Sequence, residues 1–139
     1  MDEGVEMTAA KSPRTLSEAH IQRTCSDWLA LDNWRAIITD PPQLRGLGVT
    51  EKGIPDRLYI RYTQHCLKPY SCPDAEVLWI EWKRMKGNIA TKATTEQWEW
   101  HRLERKRGAL TVIAGVEFPA TIEGFQAWYR ASGLMRGKI

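Results

Sequence analysis

Glu81 closes the most apolar run of the chain, Val77-Leu78-Trp79-Ile80-Glu81-Trp82-Lys83, and Lys83 stands two positions further on. Residues two apart on a strand share a face. A carboxylate and an ammonium at that depth are costly unless they pair or bind something. Asp56 follows Pro55 and lies 25 residues before Glu81, on another strand-like run. Two carboxylates from neighbouring strand ends can converge on a divalent cation. Mg²⁺ takes oxygen ligands and keeps several waters, so two carboxylates and a backbone carbonyl suffice. Lys83 beside them can orient or help deprotonate an attacking water, and can neutralise an anionic transition state. The plainer alternative is an ion pair, Glu81–Lys83 or Asp56–Lys83, with no catalysis.

The elements that must position these residues follow from periodicity and capping signals. Thr15 and Glu18 form a capping-box pattern. Ile21, Cys25, Trp28 and Leu29 follow at helical spacing, which predicts a helix over 16–31. Trp34 to Thr39 reads as a strand stopped by Asp40-Pro41-Pro42, and residues 43–53 read as a glycine-bearing loop. Ile54 to Arg61 reads as a second strand opening with Pro55, where a missing donor costs little. Residues 62–76 read as an irregular insert, and 77–83 as a central strand covered on both faces. A basic, flexible loop is expected over 84–93. Thr94 and Gln97 then form a second capping box, opening a helix to Arg107 with Gly108 after it. Ala109 to Ala114 reads as a strand and Thr121 to Ala131 as a last helix. The order α-β-β-β-α-β-α, with a parallel crossover between the third and fourth strands, predicts an α/β domain with a central mixed sheet flanked by helices.

The chain has 139 residues, which suits one domain over 15–139 preceded by a flexible tail, 1–14. With 42% hydrophobic and 27% charged residues, the balance is that of an ordinary globular chain and argues against wholesale disorder. No apolar run approaches the roughly 20 residues of a membrane span. The acidic, polar start lacks the apolar core of a secretory signal, so a cytoplasmic chain with reduced Cys25, Cys66 and Cys72 is expected. His65, Cys66 and Cys72 fit no zinc-finger spacing and read as a plain loop. Residues 1–76 carry 9 Lys/Arg against 11 Asp/Glu, whereas 77–139 carry 11 against 6. A basic C-terminal half suits a polyanionic partner.

Gly53-Ile54-Pro55-Asp56, Trp79-Ile80-Glu81-Trp82-Lys83 and Thr95-Glu96-Gln97-Trp98 together resemble the PD-(D/E)xK nuclease superfamily, and more narrowly its VRR-NUC family. The resemblance covers about residues 16 to 115. It departs at the insert 62–76 and at Trp98, placed directly after Gln97. It implies a restriction-endonuclease-like core and Mg²⁺- or Mn²⁺-dependent hydrolysis of DNA phosphodiesters. By the same resemblance Asp56 and Glu81 are metal ligands, helped by the Trp82 carbonyl. Lys83 works on the attacking water, Gln97 completes the site from its helix start, and Glu18 is an outer or second-metal ligand. Two of these have competing roles, since Gln97 can simply cap its helix and Glu18 can simply complete the first capping box. His20 and His101 read as surface or core residues and not as ligands.

Stand-alone chains of that family, so the resemblance implies, belong to bacteria or phage. They act as homodimers on branched DNA such as the four-way (Holliday) junctions of recombination and repair. Flap or linear-duplex cleavage by the same site is the first alternative, and a non-catalytic DNA-binding module on a nuclease fold is the second. Arg84, Lys86 and Lys92 after the third strand, and Arg102, Arg105 and Lys106 on the next helix, are the expected contacts to DNA phosphates. Trp82 and Trp98 are the tryptophans that could stack on a splayed base. Seven tryptophans exceed what one small core readily hides, so a dimer face using the insert and Trp28 is expected.

Overall fold

The computed structural model describes residues 16–39, 53–62 and 75–137. The tail 1–14, Thr15, Asp40-Pro41-Pro42, most of the glycine-bearing loop and the His65/Cys66/Cys72 segment lie outside the described residues. Helix α1 runs Glu18–Ala30, and strands β1 (Arg35–Ile38), β2 (Arg57–Tyr62) and β3 (Ala75–Glu81) follow. Next come β4 (Met85–Lys86), β5 (Ile89–Ala90), helix α2 (Thr95–Lys106), β6 (Thr111–Ile113) and helix α3 (Ile122–Ala131). The protein is α/β, with a mixed four-stranded sheet in the order β1-β2-β3-β6. The β1–β2 and β2–β3 pairs are antiparallel, and β3–β6 is the expected parallel pair spanned by α2.

Side-chain alternation along β3 divides the two faces. Leu78 and Ile80 are fully buried among Ile21, Cys25 and Leu29 of α1 and Phe125 and Tyr129 of α3. Trp79 points the other way and meets Trp100 of α2, ring centroids 4.9 Å apart. Glu81 shares the Trp79 face by the same period, and this is what aims it at α2. The expectation that β3 is covered on both faces along its whole length is corrected, because Val77 is 41% exposed.

The basic loop after β3 is corrected too. Residues 85–90 form a small hairpin, β4–β5, turning at Gly87-Asn88 with Gly87 at φ +66°. Gly-Asn between two short runs is a recognised hairpin connection, because glycine accepts the positive φ the turn needs. Met85 and Ala90 pack against the main core, and the Thr91 amide closes the hairpin base on the Arg84 carbonyl at 2.9 Å.

A buried ion pair far along the sheet was not foreseen. Arg61 and Asp32 are each 1% exposed and 2.9 Å apart. Arg61 also forks onto Glu76 at 2.9 and 3.0 Å, and its guanidinium lies 4.3 Å from the Trp34 ring centroid. The Asp32 carboxylate accepts further hydrogen bonds from the Tyr129 hydroxyl and from the Arg136 and Gly137 amides. A buried charge set survives only when its lone pairs and protons are satisfied this fully. Among the described residues no helix is long and apolar enough to cross a membrane.

Candidate active site at the end of the third strand

Glu81 is the last residue of β3, and Lys83 lies just beyond it; both are buried, at 4% and 8% exposed. Lys83 Nζ sits 3.8 Å from Glu81 Oε2. Gln97 joins them. Its Nε2 donates to Glu81 Oε2 at 3.0 Å, and its Oε1 accepts from Lys83 Nζ at 2.9 Å. The same Oε1 accepts the Thr94 backbone N–H at 2.8 Å, while Thr94 Oγ1 accepts from the Gln97 amide at 3.2 Å. Gln97 therefore caps α2 and organises the carboxylate and the ammonium with one side chain. The reciprocal cap fixes the glutamine side chain toward the start of the helix, which is the end facing Glu81.

Asp56 is exposed and stands one residue before β2, not on it; the expectation of a strand from Ile54 opening with Pro55 is corrected. The Asp56 carbonyl accepts from the Thr39 amide at 3.1 Å, and the Pro55 carbonyl accepts from the Thr39 hydroxyl. Upstream, Gly53 has φ +82°, and a Cβ there would lie 2.1 Å from the Glu96 carbonyl oxygen. The segment carrying Asp56 thus passes against the backbone of the first turn of α2. Only glycine permits both the backbone conformation and the approach.

The Thr15–Glu18 capping box is corrected as well. Ser17 is the N-cap of α1 and accepts from the His20 amide at 3.1 Å, which makes Glu18 the first helical residue. Glu18 is then free for another role. Burial pushes its carboxyl above the usual range; Lys83 opposes this, Asp56 and Glu81 add to it, and Arg84 opposes it. Glu18 therefore shares one electrostatic neighbourhood with Asp56, Glu81, Lys83 and Arg84.

Among the described residues no three His, Cys, Asp or Glu side chains converge into a ready-made metal cage. A hydrated Mg²⁺ asks for less, since one or two carboxylates with waters can hold it. The residues fit such an ion on one count: Glu81 Oε1 is buried without a hydrogen bond. Buried polar atoms are seldom left so, and each exception calls for a reason. Asp56, Glu81 and the Trp82 carbonyl are the oxygen donors that would hold the ion, with Glu18 in the same electrostatic neighbourhood.

A cleft of about 400 Å³ opens beside Asp56, lined by Ala19, Gln22, Arg23, Ser26, Ala36 and Arg57. Gln22, with its amide oxygen turned toward Arg57, accepts from that guanidinium at 2.8 Å. Arg23 and Arg57 were not read from the sequence as site residues, because neither belongs to a motif.

The expected DNA contacts separate into two groups. Arg84, Lys86 and Lys92 are exposed around the hairpin and form no ion pair among the described residues. Arg102 pairs with Glu99 at 2.7 Å on the helix surface, a link of the exposed kind that exchanges easily. Arg105 is different. It donates twice to the Thr111 carbonyl, at 3.1 and 2.9 Å, and also pairs with Glu117. It fastens α2 to β6, with its side chain still 41% exposed. Lys106 is exposed.

Trp82 is 2% exposed and donates from Nε1 to the Tyr59 hydroxyl at 2.8 Å, so it is a core residue and cannot stack on a base. Trp98 remains available at 44% exposed, in a groove with Arg102 and Lys106. Trp28 packs edge-on between Phe125 and Tyr129, which joins α1 to α3. With Trp98 the only tryptophan left exposed, tryptophan surplus loses its force as an argument for a dimer face.

No protein-family model, no curated protein and no solved structure matches the chain.

Proposed function

We propose that this chain is a Mg²⁺- or Mn²⁺-dependent endodeoxyribonuclease with a restriction-endonuclease-like core, hydrolysing phosphodiester bonds in branched DNA. The observation that carries this reading is the buried Glu81–Gln97–Lys83 cluster beside two further carboxylates, Asp56 and Glu18. A purely structural ion pair does not explain why one Glu81 oxygen is buried without a donor.

When bound by Asp56, Glu81 and the Trp82 carbonyl, the cation supplies Lewis acidity at the scissile phosphate. The remaining roles fall to the chain. Lys83, aimed by Gln97, orients the attacking water and neutralises charge developing on the phosphate oxygens. Gln97 holds Glu81 and Lys83 at a fixed spacing, so little reorganisation is needed during reaction. Arg84, Lys86 and Lys92, on and beside the hairpin, bind flanking phosphates without reading sequence.

The substrate class rests on the motif resemblance. A four-way junction has two-fold symmetry, and a C2 homodimer offers two matched sites for paired cuts. The experiment incubates the protein with Mg²⁺ or Mn²⁺ and strand-labelled linear, flap and four-way DNA, with light scattering for mass. A dimer that cuts junctions symmetrically is expected. A monomer preferring flaps or linear duplex rejects junction resolution and keeps the chemistry. Tight DNA binding with no cleavage of any substrate leaves a non-catalytic binding module.

A further inference from the structure

His101 is fully buried on α2, one helical turn after Gln97 and on the same helix face. Its Nδ1 is hydrogen-bonded to the hydroxyl of Thr111, itself 2% exposed, on β6. Its Nε2 is buried without a hydrogen bond and lies 3.9 Å from Glu81 Oε1, the other buried atom in that condition. These two are the only such side-chain atoms among the described residues, and they face each other. Two unsatisfied atoms at this spacing are a short closure away from a contact.

The direction of the proton follows from the partners. If Nδ1 donated to Thr111, a lone pair on Nε2 would confront a carboxylate oxygen. If Nδ1 accepts from the Thr111 hydroxyl, Nε2 carries the proton and presents N–H to Glu81 Oε1. The second arrangement is electrostatically favoured, and it leaves Oε1 a second lone pair for a cation.

We propose that His101 is a positioning residue for Glu81, held as the Nε2–H form by Thr111 and donating toward Oε1. Gln97 governs the other carboxylate oxygen, so the two α2 side chains fix the carboxylate plane between them. The remaining lone pairs are then turned toward the mouth of the site. This role rests on the reading of Glu81 as a cation ligand. Hydrogen-bond partners of ligating carboxylates commonly govern metal affinity by 10–100-fold.

The test titrates Mn²⁺ calorimetrically into the wild-type protein and into His101→Ala, His101→Gln and Thr111→Val. His101→Ala should weaken Mn²⁺ binding about 10–100-fold. His101→Gln, which keeps an N–H donor, should recover most of it, and Thr111→Val should lose a few-fold. NMR of labelled histidine should place the ring proton on Nε2 in the wild-type protein. Wild-type protein that binds no Mn²⁺ overturns the metal reading itself. Wild-type binding with unchanged affinity in His101→Ala overturns only this role, as does His101→Gln binding as weakly as His101→Ala. If His101→Ala does not fold, unchanged affinity in Thr111→Val, or a ring protonated on Nδ1 alone, overturns it.

Discussion

Gln97 and Glu81 lie 3.0 Å apart, Nε2 to Oε2, across the gap between the start of α2 and the end of β3. One amide thereby couples a helix cap to a buried carboxylate. Thr94→Ala removes only the cap, whereas Gln97→Ala removes cap and bridge. Both should lower stability by about 1 kcal/mol, the usual scale for a lost N-cap. Only Gln97→Ala should lower the cleavage rate, by about 10²-fold for a misplaced group. Thermal melts and single-turnover assays of the two variants separate the roles, and equal rate losses would refute the bridge.

Asp56→Ala and Glu81→Ala should abolish cleavage while DNA binding stays near normal or tightens, since negative charge near phosphate is removed. The wild-type melting temperature should rise with Mg²⁺ or Mn²⁺, because a ligand of the folded state alone stabilises by mass action. That rise should be lost in Glu81→Ala. Cleavage in excess EDTA would remove the assignment.

Lys83→Ala keeps both carboxylates. Cation binding should persist while turnover falls by about 10² or more, the scale for losing an electrostatic or proton-transfer group. Calorimetry and rates on the same preparation decide it. Loss of cation binding would mean that Lys83 holds the site together and does not act in the reaction.

Gly53→Ala should be far more harmful than an ordinary loop substitution. The new Cβ meets the α2 backbone at 2.1 Å, and φ is +82°. The segment must shift and carry Asp56 with it. A fall in melting temperature accompanied by a fall in cleavage rate is expected; full activity would show that Asp56 is not held by this contact.

Acid should reveal opposing groups. Burial pushes the Asp32 carboxyl up, but the Tyr129 hydroxyl, the Gly137 and Arg136 amides and Arg61 outweigh it and hold it below its ordinary 3.8. A hydrogen bond from Arg61 likewise holds Glu76 below 4.5. Their contribution is full above those values and is lost as pH falls through the depressed folded ones. Glu18 has the opposite sign, because its raised carboxyl favours the fold when protonated. Stability should therefore rise slightly from neutral toward mildly acidic pH and then collapse. Melts across pH should lose the rise in Glu18→Gln and keep the collapse.

The site's composition was legible because its members stand at fixed spacings. Glu81 and Lys83 share a strand face, and Gln97 follows the cap residue Thr94 by three. What stayed hidden depends on tertiary approach. Gly53 is one glycine in a glycine-bearing loop until α2 is laid against it. His101 is one of several polar residues on its helix until β3 ends beneath it. Arg61 read only as the last residue of a strand, because its partners, Asp32 and Tyr129, are distant in sequence and hydrogen-bond only once α1 and α3 are packed. The hairpin 85–90 is the exception. Gly87-Asn88 carried a turn signal, but runs of two residues are too short for periodicity to flag.

The amides of Arg136 and Gly137, which donate to Asp32 at 3.1 and 2.7 Å, make the end of the described chain a built-in reporter. Neither amide belongs to a helix or strand, and exchange with deuterated solvent at such positions is normally fast. Here each amide is released only by giving up a bond to a carboxylate that also neutralises buried Arg61. Their exchange should therefore be slow and should track the opening of the α1–β2–α3 packing, far from the candidate catalytic end of β3. A substrate that slows exchange at these two amides would show that occupancy at one end of the sheet tightens the other.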